Sequence, residues 1–377
     1  MVSTREGQFA GRRRLVGLAA GVGLVLAGCA KNAPQDTFQP AGSNAREIDG
    51  LQRELFYVSG IVGLIVFAAI LYAIIKFKDR GQDIPEQSHG NPKLEILLTI
   101  LPAIILAVVA VPSVAAVFKL DKKDNDCVIN VTGQQWWWEY DYVQGSTCGG
   151  VEITKSIVTS GELVIPAHTD VLLRITSRDV IHSYWIPRLN GKRDSVPGRL
   201  HTLRMQADQA GIYTGQCTEF CGLSHARMRQ AAVALEAADF QTWVTNQTAD
   251  YVAPEADTLA ATGEATFVAQ CSRCHQVNDL LSPDGTPVLA EPDLYVVSGA
   301  APNLSKLMTR TAFAGWTFDL ISAECLRTWL RNAPAMKPMY ADPTKLASTG
   351  GKTRGMPNLN LTEDQIDELI AYMLERK

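Results

Sequence analysis

The sequence of 377 residues has no surplus of basic residues and few histidines. Its formal net charge is -4, so nothing in its composition suggests nucleic-acid binding. Only six histidines are present, and none lies within the two long apolar stretches of the N-terminal third. A metal centre held by several imidazoles inside a membrane therefore cannot be built from this chain alone.

The N-terminal region has an apolar core that is too short to cross a bilayer. Residues 15–27 are apolar and follow four arginines, so residues 1–28 are predicted to be a signal peptide. The core ends in a Leu-Ala-Gly-Cys sequence that resembles a bacterial lipoprotein cleavage box and predicts lipidation of Cys29. The alternative is an ordinary signal peptide with an incidental cysteine. Residues 29–50 are polar and rich in Pro, Gly and Asn, so we expect a flexible tether there.

Two later runs lack the charges that would keep them out of a membrane. Residues 55–75 carry no charge over 21 positions, which is enough for one crossing. Residues 94–118 form a second run, interrupted only by Glu95 and two prolines. The short loop between the runs is basic, which favours the cytoplasm, so both flanking regions are predicted to lie outside. Residues 51–120 are therefore predicted to form a transmembrane helical hairpin.

The periodicity changes after Cys127. Short segments rich in β-branched and aromatic residues alternate with Gly, Pro and Asn turns, which is typical of an all-β sandwich or barrel. A helix near residues 239–248 is expected to close this domain, which spans residues 121–248. The predicted strands are residues 128–132, 135–142, 170–176, 200–205 and 228–235.

The C-terminal region is predicted to be helical over residues 258–377, after a polar linker at residues 249–257. The last helix is the clearest, because Thr362 and Gln365 form a capping-box start that precedes one apolar stripe. That stripe is interpreted as core packing. Cys325 lies in another predicted helix, where we expect it to pack as a buried side chain.

Eight cysteines fit a chain that is exported from the cytoplasm. Cys127 and Cys148 are candidates for a disulfide bond in an oxidising compartment. Two free thiols are the alternative, and the sequence does not decide between them.

A copper ligand pattern follows one of the predicted strands. The ligand candidates are His182, Cys217, Cys221, His225 and Met228, and the last four lie on one short loop. Soft thiolates and imidazoles suit copper, and two thiolates on one loop can bridge two copper ions. A disulfide, a zinc site with an unusual Met ligand, or a single copper with one idle cysteine are the alternatives. A rigid site with shared valence needs little rearrangement, so the pattern favours electron transfer.

A covalent haem site is predicted at Cys271, Cys274 and His275. In a Cys-x-x-Cys-His motif the two thiols add to the haem vinyl groups and the histidine binds the iron. The sixth iron ligand is expected to be a methionine, which would raise the reduction potential. The candidates are Met308, Met336, Met339, Met356 and Met373.

Residues 50–248 resemble subunit II of the haem–copper cytochrome c oxidases. The resemblance rests on the two apolar runs, on residues 135–142, 180–187 and 194–199, and on the copper loop. It implies a cupredoxin-like fold with a dinuclear copper centre (CuA), to which the Glu219 main-chain carbonyl is a further ligand. It also implies that the Glu219 carboxylate helps to hold magnesium at the interface with the catalytic subunit. Trp137 stands where the family often has Tyr, which is a mild departure.

The same resemblance implies roles for two more residues. Trp136 would be where electrons enter the copper centre, although three aromatic residues in a row also fit core packing. Glu95 would mark the mouth of a proton-uptake channel; the alternative is a carboxylate solvated at the membrane surface, which costs little there.

The C-terminal region resembles the class I cytochromes c, and the whole chain resembles the oxidase subunits II that carry a fused cytochrome c domain. Residues 355–359 resemble the axial-methionine loop of that family, which implies Met356 as the sixth ligand with Met339 next. Residues 301–304 resemble the proline loop that packs near the axial histidine.

Together these features predict the electron-input subunit of a respiratory oxygen reductase, and electron input to a nitric oxide reductase is the alternative. The implied partners are oxidase subunits I and III, membrane lipid, and an external donor, either cytochrome c or a quinol–cytochrome c reductase. The implied location is the bacterial inner membrane, with two passes and both termini on the periplasmic side. A copper carrier is disfavoured, because it would not need a haem.

Overall fold

The computed structural model describes residues 21, 33–81, 89–278, 301–318, 322–340 and 354–377. The predicted signal peptide and Cys29 lie outside the described residues, apart from residue 21. The described part contains a pair of long helices, an all-β domain and a helical domain, in that order along the chain.

The two apolar runs form α1 (Ser43–Lys76) and α2 (Pro92–Leu120). Both helices are long and apolar enough to cross a membrane, as the sequence predicts. The start of α2 is fixed locally, because the Asn91 side chain accepts a hydrogen bond from the Leu94 amide and Pro92 stands in the first turn.

The predicted tether is too long, because α1 begins at Ser43 and the residues before it pack against the β domain. The Ala41 amide donates to the Arg188 carbonyl at 2.7 Å, and Asn44 Nδ2 donates to the Arg204 carbonyl at 3.0 Å. Ala45 is buried beside them. These partners are distant in sequence, so the polar composition of residues 29–50 gave no sign of them.

The β domain has twelve strands among the described residues, and most form two sheets. The five-stranded sheet has the order β10-β7-β1-β2-β5, and the three-stranded sheet has the order β11-β12-β6. Within them β1 runs parallel to β7, and β12 runs parallel to β6. The strands are β1 (Val128–Gln134), β2 (Trp137–Tyr142), β3 (Thr147–Cys148), β4 (Val151–Glu152), β5 (Ile157–Ser160), β6 (Glu162–Pro166), β7 (Val171–Ser177), β8 (His182–Tyr184), β9 (Arg193–Ser195), β10 (His201–Met205), β11 (Gly211–Gln216) and β12 (Arg229–Leu235).

All five predicted strands are present, and their bounds differ from the predicted ones by one or two residues. Strand β2 begins at Trp137, so Trp136 lies in the connection before it rather than within the strand. Alternating side chains of the two sheets fill one core, in which Trp138, Tyr140 and Tyr184 are fully buried. Cys127 and Cys148 are joined by a disulfide, which decides between the two alternatives that the sequence left open.

The helical domain follows α3 (Ala237–Thr248), which closes the β domain as expected. Helix α4 (Leu259–Gln270) crosses α7 (Glu363–Leu374) at Gly263, where a Cβ atom would lie 2.0 Å from the Glu368 carbonyl oxygen, so only glycine fits this close approach. The predicted capping box at Thr362 and Gln365 is present, and the apolar stripe behind it is buried. The helices are α3 (Ala237–Thr248), α4 (Leu259–Gln270), α5 (Ala323–Arg331), α6 (Ala333–Met336) and α7 (Glu363–Leu374).

Candidate copper and haem sites

The predicted copper ligands converge on one buried point. Cys217 Sγ lies 3.8 Å from Cys221 Sγ, and Cys221 Sγ lies 3.6 Å from His225 Nδ1 and 3.8 Å from Met228 Sδ. His182 Nδ1 lies 4.0 Å from Cys217 Sγ. Both cysteines are free thiols, so the disulfide alternative is wrong. Two thiols, two imidazoles and a thioether at one point are a soft donor set that fits copper.

Secondary structure brings these residues together. His182 opens β8, and the other four follow β11, where the loop is held at both ends. The Cys217 amide donates to the Met228 carbonyl at 2.9 Å, and the Thr218 amide donates to the Ser183 carbonyl at 3.0 Å. These backbone bonds place the loop beside β8.

Asp179 orients the His182 ring, and the sequence analysis missed this role. His182 Nε2 donates to Asp179 Oδ1 at 2.8 Å, which leaves Nδ1 free to face the thiols. A carboxylate behind a metal-binding histidine fixes the tautomer and raises the basicity of the ligand. The available signal was the position of Asp179, three residues before His182 in a turn.

The two thiols shift each other's pKa through their contact at 3.8 Å. The hydrogen bond with Cys221, helped by His182, lowers the pKa of Cys217 to about 4. The hydrogen bond with Cys217 and burial raise the pKa of Cys221. Burial alone would lower the pKa of His182, but the hydrogen bonds with Asp179 and Cys217 raise it. A bound cation would displace these protons, since thiolate and neutral imidazole are the forms that bind metal.

The main-chain carbonyl and the side-chain carboxylate of Glu219 have different surroundings. Its main-chain carbonyl oxygen lies 3.3 Å from Cys217 Sγ, at the edge of the copper cluster. Its carboxylate is exposed, and no metal-binding group of three acidic, His or Cys side chains among the described residues includes it. Magnesium binding by Glu219 therefore stays a prediction.

The Cys-x-x-Cys-His motif lines a cavity of 460 Å³ in the helical domain. Cys271 caps the end of α4, and the next turn carries Cys274 and His275, whose amides both donate to the Cys271 carbonyl. Burial raises the pKa of Cys271 to about 12 and lowers the pKa of His275. The motif therefore presents protonated thiols and a neutral imidazole to the cavity.

The cavity fits a haem group. His275 Nδ1 donates to the Pro302 carbonyl at 2.8 Å, so Nε2 carries the lone pair that iron requires. This bond also places the predicted proline loop on the histidine side. The walls are mainly apolar, with side chains such as Phe267, Leu304 and Leu326. Its volume is within the usual range for cofactor sites.

Two candidates for the sixth iron ligand lie next to each other at the cavity. Met356 and Met339 both line the cavity, and the Met356 amide donates to Met339 Sδ at 3.1 Å. Met356 Sδ also accepts a hydrogen bond from Trp329 Nε1 at 3.1 Å. Met373 lines the cavity too but belongs to the buried stripe of α7. Met356 stays the predicted ligand.

Trp136 lies between the two sites. Its Nε1 donates to the Cys221 carbonyl at 3.1 Å, while its own carbonyl accepts a hydrogen bond from Lys337 Nζ at 2.7 Å. Trp136 also lines the haem cavity and is only 2% exposed. Its ring packs 5.4 Å from that of Tyr340, a residue of the helical domain. The helical domain thus covers a side chain that touches both sites.

A buried carboxylate, that of Glu162, holds the helical domain against the β domain. Glu162 Oε1 accepts hydrogen bonds from the amides of Thr311 and Ala312 at 2.7 and 2.9 Å. It also accepts from Thr311 Oγ1 at 2.5 Å and from Trp316 Nε1 at 3.2 Å. Glu162 is only 4% exposed. No local pattern in the sequence indicates this contact, which joins residues about 150 positions apart.

Glu95 has an ordinary setting in the structure. It lies in the first turn of α2 with an exposed side chain, where a carboxylate suits the helix N-terminus. Nothing around it tests the predicted proton-channel role, which stays a prediction.

The fold and the two sites define a membrane-anchored metalloprotein with a cupredoxin-like domain and a cytochrome c domain. Residues 31–116 match the family model for the transmembrane domain of cytochrome c oxidase subunit II, and residues 127–235 match the model for its periplasmic domain. Residues 260–377 match the model for cytochrome c. The chain belongs to the cytochrome c oxidase subunit II family, and it carries a C-terminal cytochrome c domain.

Relatives that match almost the whole chain support this assignment. The chain is 30% identical to cytochrome c oxidase subunit 2 of Alkalihalophilus pseudofirmus, over 94% of both chains. It is 33% identical to the corresponding subunit of Bacillus sp. strain PS3, over 97% of both chains. The crystal structure of the periplasmic domain of subunit II from Bradyrhizobium japonicum is 29% identical, with a TM-score of 0.29, and covers 33% of this chain and 95% of that one.

Membership of the family has consequences for cofactors and partners. The subunit II domain implies a CuA copper centre, and the cytochrome c domain implies haem c. The two apolar helices fit a two-pass membrane protein. The chain is part of an oxidoreductase complex, and its family implies partnership with subunit I.

Proposed function

We propose that this chain is the electron-input subunit of a respiratory cytochrome c oxidase. Haem c and the dinuclear copper centre supply one-electron carriers when they are bound. The chain accepts electrons from an external donor at its cytochrome c domain, passes them to the copper loop, and delivers them to the haem of the catalytic subunit. The position of Trp136, in contact with the copper loop and the haem cavity, carries this proposal.

The copper cluster is built for transfer rather than for substrate chemistry. Cys217, Cys221 and Met228 are each at most 4% exposed, and the loop is held by backbone hydrogen bonds. A catalytic metal site keeps an open position for substrate, whereas a closed and preassembled site does not. Rigid ligands change little when an electron arrives or leaves, which favours fast transfer.

Trp136 gives this chain a direct connection between its two sites. One hydrogen bond joins its indole nitrogen to the carbonyl of Cys221, which is itself a copper ligand candidate. The cytochrome c domain buries the ring, so a second protein cannot reach it in this arrangement. We propose that external donors therefore reduce the cytochrome c domain rather than the copper loop.

The remaining assignments follow from membership in the family. The chain would lie in the bacterial inner membrane with its metal domains on the periplasmic side, against subunits I and III. The Glu219 carboxylate would contribute to a magnesium site at that interface. Glu95 would serve proton uptake for oxygen reduction coupled to proton translocation. A lipid on Cys29 would add a second anchor.

The purified complex tests the proposal when it is mixed rapidly with a reduced one-electron donor. We expect oxygen to be consumed and nitric oxide not to be consumed, and the haem c absorption to change before that of copper. Trp136→Phe should slow copper reduction while haem c reduction keeps its rate. Trp243→Phe, which changes a half-buried indole of α3 packed against the β-domain core, is the matched control. Copper reduction that precedes haem reduction, or equal rates in both variants, would contradict the proposed relay.

A further inference from the structure

The haem cavity is strongly basic. Four of its lining side chains are basic, namely Arg273, Arg310, Lys337 and Arg354, and none of its described lining residues is acidic. Burial of positive charge is costly unless negative charge lies nearby, so this cavity favours an anionic ligand. Covalently bound haem carries two propionate carboxylates, which supply that charge.

Lys337 is the most deeply buried of these cations. It is only 3% exposed, and its Nζ donates to the carbonyls of Trp136 and Ala314 at 2.7 and 2.8 Å. An ammonium group has three donors, so one N–H remains for another acceptor. Among the residues that the structure describes, no carboxylate pairs with Lys337.

Arg310 and Arg354 also have unused capacity at the cavity. The Nε atom of each is buried without a hydrogen-bond partner in the described part of the chain. Arg310 donates through its other nitrogens to Ser160 Oγ at 3.0 Å and to the Asn303 carbonyl at 2.5 Å. Arg354 Nε lies 3.7 Å from Asp179 Oδ2, which is too long for a hydrogen bond.

Lys337, Arg310 and Arg354 share a location as well as a charge. Each one contacts the β domain, because Lys337 reaches Trp136, Arg310 reaches Ser160, and Arg354 approaches Asp179. Arg273, the fourth basic side chain, is exposed. These three cations therefore lie at the end of the cavity that faces the copper domain.

We propose that Lys337, Arg310 and Arg354 bind the haem propionates at the domain interface, so that the anionic edge of the haem faces Trp136. In this arrangement Lys337 links a propionate directly to the Trp136 carbonyl. The inference rests on the proposed haem attachment. It adds a residue that binds the cofactor and also fixes its orientation toward the copper loop.

Substitution of Lys337 in the full-length, haem-loaded chain tests this assignment through the reduction potential of haem c. Lys337→Met removes a positive charge near the haem and so favours the oxidised form. We expect the equilibrium constant for haem c reduction to fall by about tenfold, as for a unit charge about 10 Å from the iron at an effective dielectric constant of about 20, with partial screening. Lys337→Arg should restore most of it. Lys306→Met removes a cation of the same domain that does not line the cavity, and should change nothing.

A vibrational readout separates propionate binding from a structural role. In redox-difference infrared spectra with carbon-13-labelled propionates, the carboxylate bands should shift in Lys337→Met and not in Lys306→Met. If Lys337→Met fails to incorporate haem, Arg354→Gln gives the same two readouts. Unchanged potential and unchanged carboxylate bands in the variants would overturn the proposal. Failure of the proposed function is distinguishable, because it would appear as missing haem or missing haem-to-copper transfer in the unmodified chain.

Discussion

The copper site and the haem site differ in how the protein positions their ligands. In the β domain, the soft donors of Cys217, Cys221 and Met228 already lie within 4 Å of their neighbours. In the helical domain, the haem ligand candidates surround a cavity of 460 Å³. A metal ion requires convergence on a point, which a strand and a backbone-tethered loop provide. A haem requires a volume, which many side chains from several helices and loops must enclose.

This difference indicates which substitutions should disrupt each site. The copper site depends on few atoms, so single substitutions should act locally and strongly. The haem cavity depends on a shared wall, part of which belongs to the other domain. Gly315 shows this sharing, because a Cβ atom there would lie 2.6 Å from the Trp136 carbonyl oxygen.

The largest expected effect is the loss of the copper centre in Cys221→Ser. Serine cannot replace the bridging thiolate, so the dinuclear site should not form, while the haem content stays unchanged. Metal analysis and absorption spectra of the purified full-length chain measure both. Cys325→Ser, at a half-buried position outside both sites, is the control. Loss of haem together with copper would show that the two sites are not independent and would break the comparison.

Glu162→Ala should weaken the contact between the domains. The change leaves buried amide, hydroxyl and indole donors without an acceptor, which we expect to cost about 3 kcal/mol. Denaturant unfolding that follows haem absorption should show the loss, and protease cleavage in residues 249–257 should become faster. Glu152→Ala removes an exposed carboxylate of the same domain and should have no effect. An unchanged unfolding profile would show that other contacts hold the domains together.

Asp179→Asn should lower copper affinity by about tenfold to a hundredfold, as is usual for a residue that orients a metal ligand. An amide can donate to His182 Nε2 and favour the wrong tautomer, although the shape of the site is retained. Competition with a chelator measures the affinity. Asp141→Asn, at a β2 carboxylate of the same domain that is hydrogen-bonded to Asn130, is a matched control. Equal copper affinity in both variants would show that Asp179 does not support copper binding through His182.

Met356→Ala should abolish the sulfur-to-iron charge-transfer band of haem c, while the haem stays covalently attached. The substitution removes the axial thioether and leaves the two thiols and His275 in place, so the cavity itself should persist. Absorption spectra of the oxidised chain measure the band. If the band persists in Met356→Ala and disappears in Met339→Ala, the assignment moves to Met339, which lies beside it.

The smallest effect is expected for Met228→Leu. Leucine keeps the buried volume, and a thioether is only a weak copper ligand, so copper should stay bound. The copper spectrum should shift, and transfer to the catalytic subunit should slow. An unchanged spectrum together with an unchanged rate would show that Met228 is not a ligand.

The sequence predicted local features well and contacts between domains poorly. Strand alternation, the capping box at Thr362 and the contiguous copper loop are encoded within short windows, where spacing alone places side chains. The contact between Lys337 and Trp136 spans 201 positions, and no periodicity reports it. The domain contact made by Glu162 could not be predicted either, because a buried acceptor and a solvated surface carboxylate look alike in a sequence. The tether prediction failed for the same reason.

The first helix has a mechanical consequence for the whole assembly. With 34 residues, α1 is about 51 Å long at 1.5 Å per residue, whereas the hydrocarbon core of a bilayer is about 30 Å thick. The rest of α1 therefore extends beyond the hydrocarbon core as continuous helix, and Asn44 near its N-terminal end is hydrogen-bonded to the β domain. This helical extension sets the height and tilt of the copper loop above the bilayer. A one-residue insertion into it would rotate the β domain by about 100° relative to the membrane-embedded part, as the 3.6-residue turn dictates.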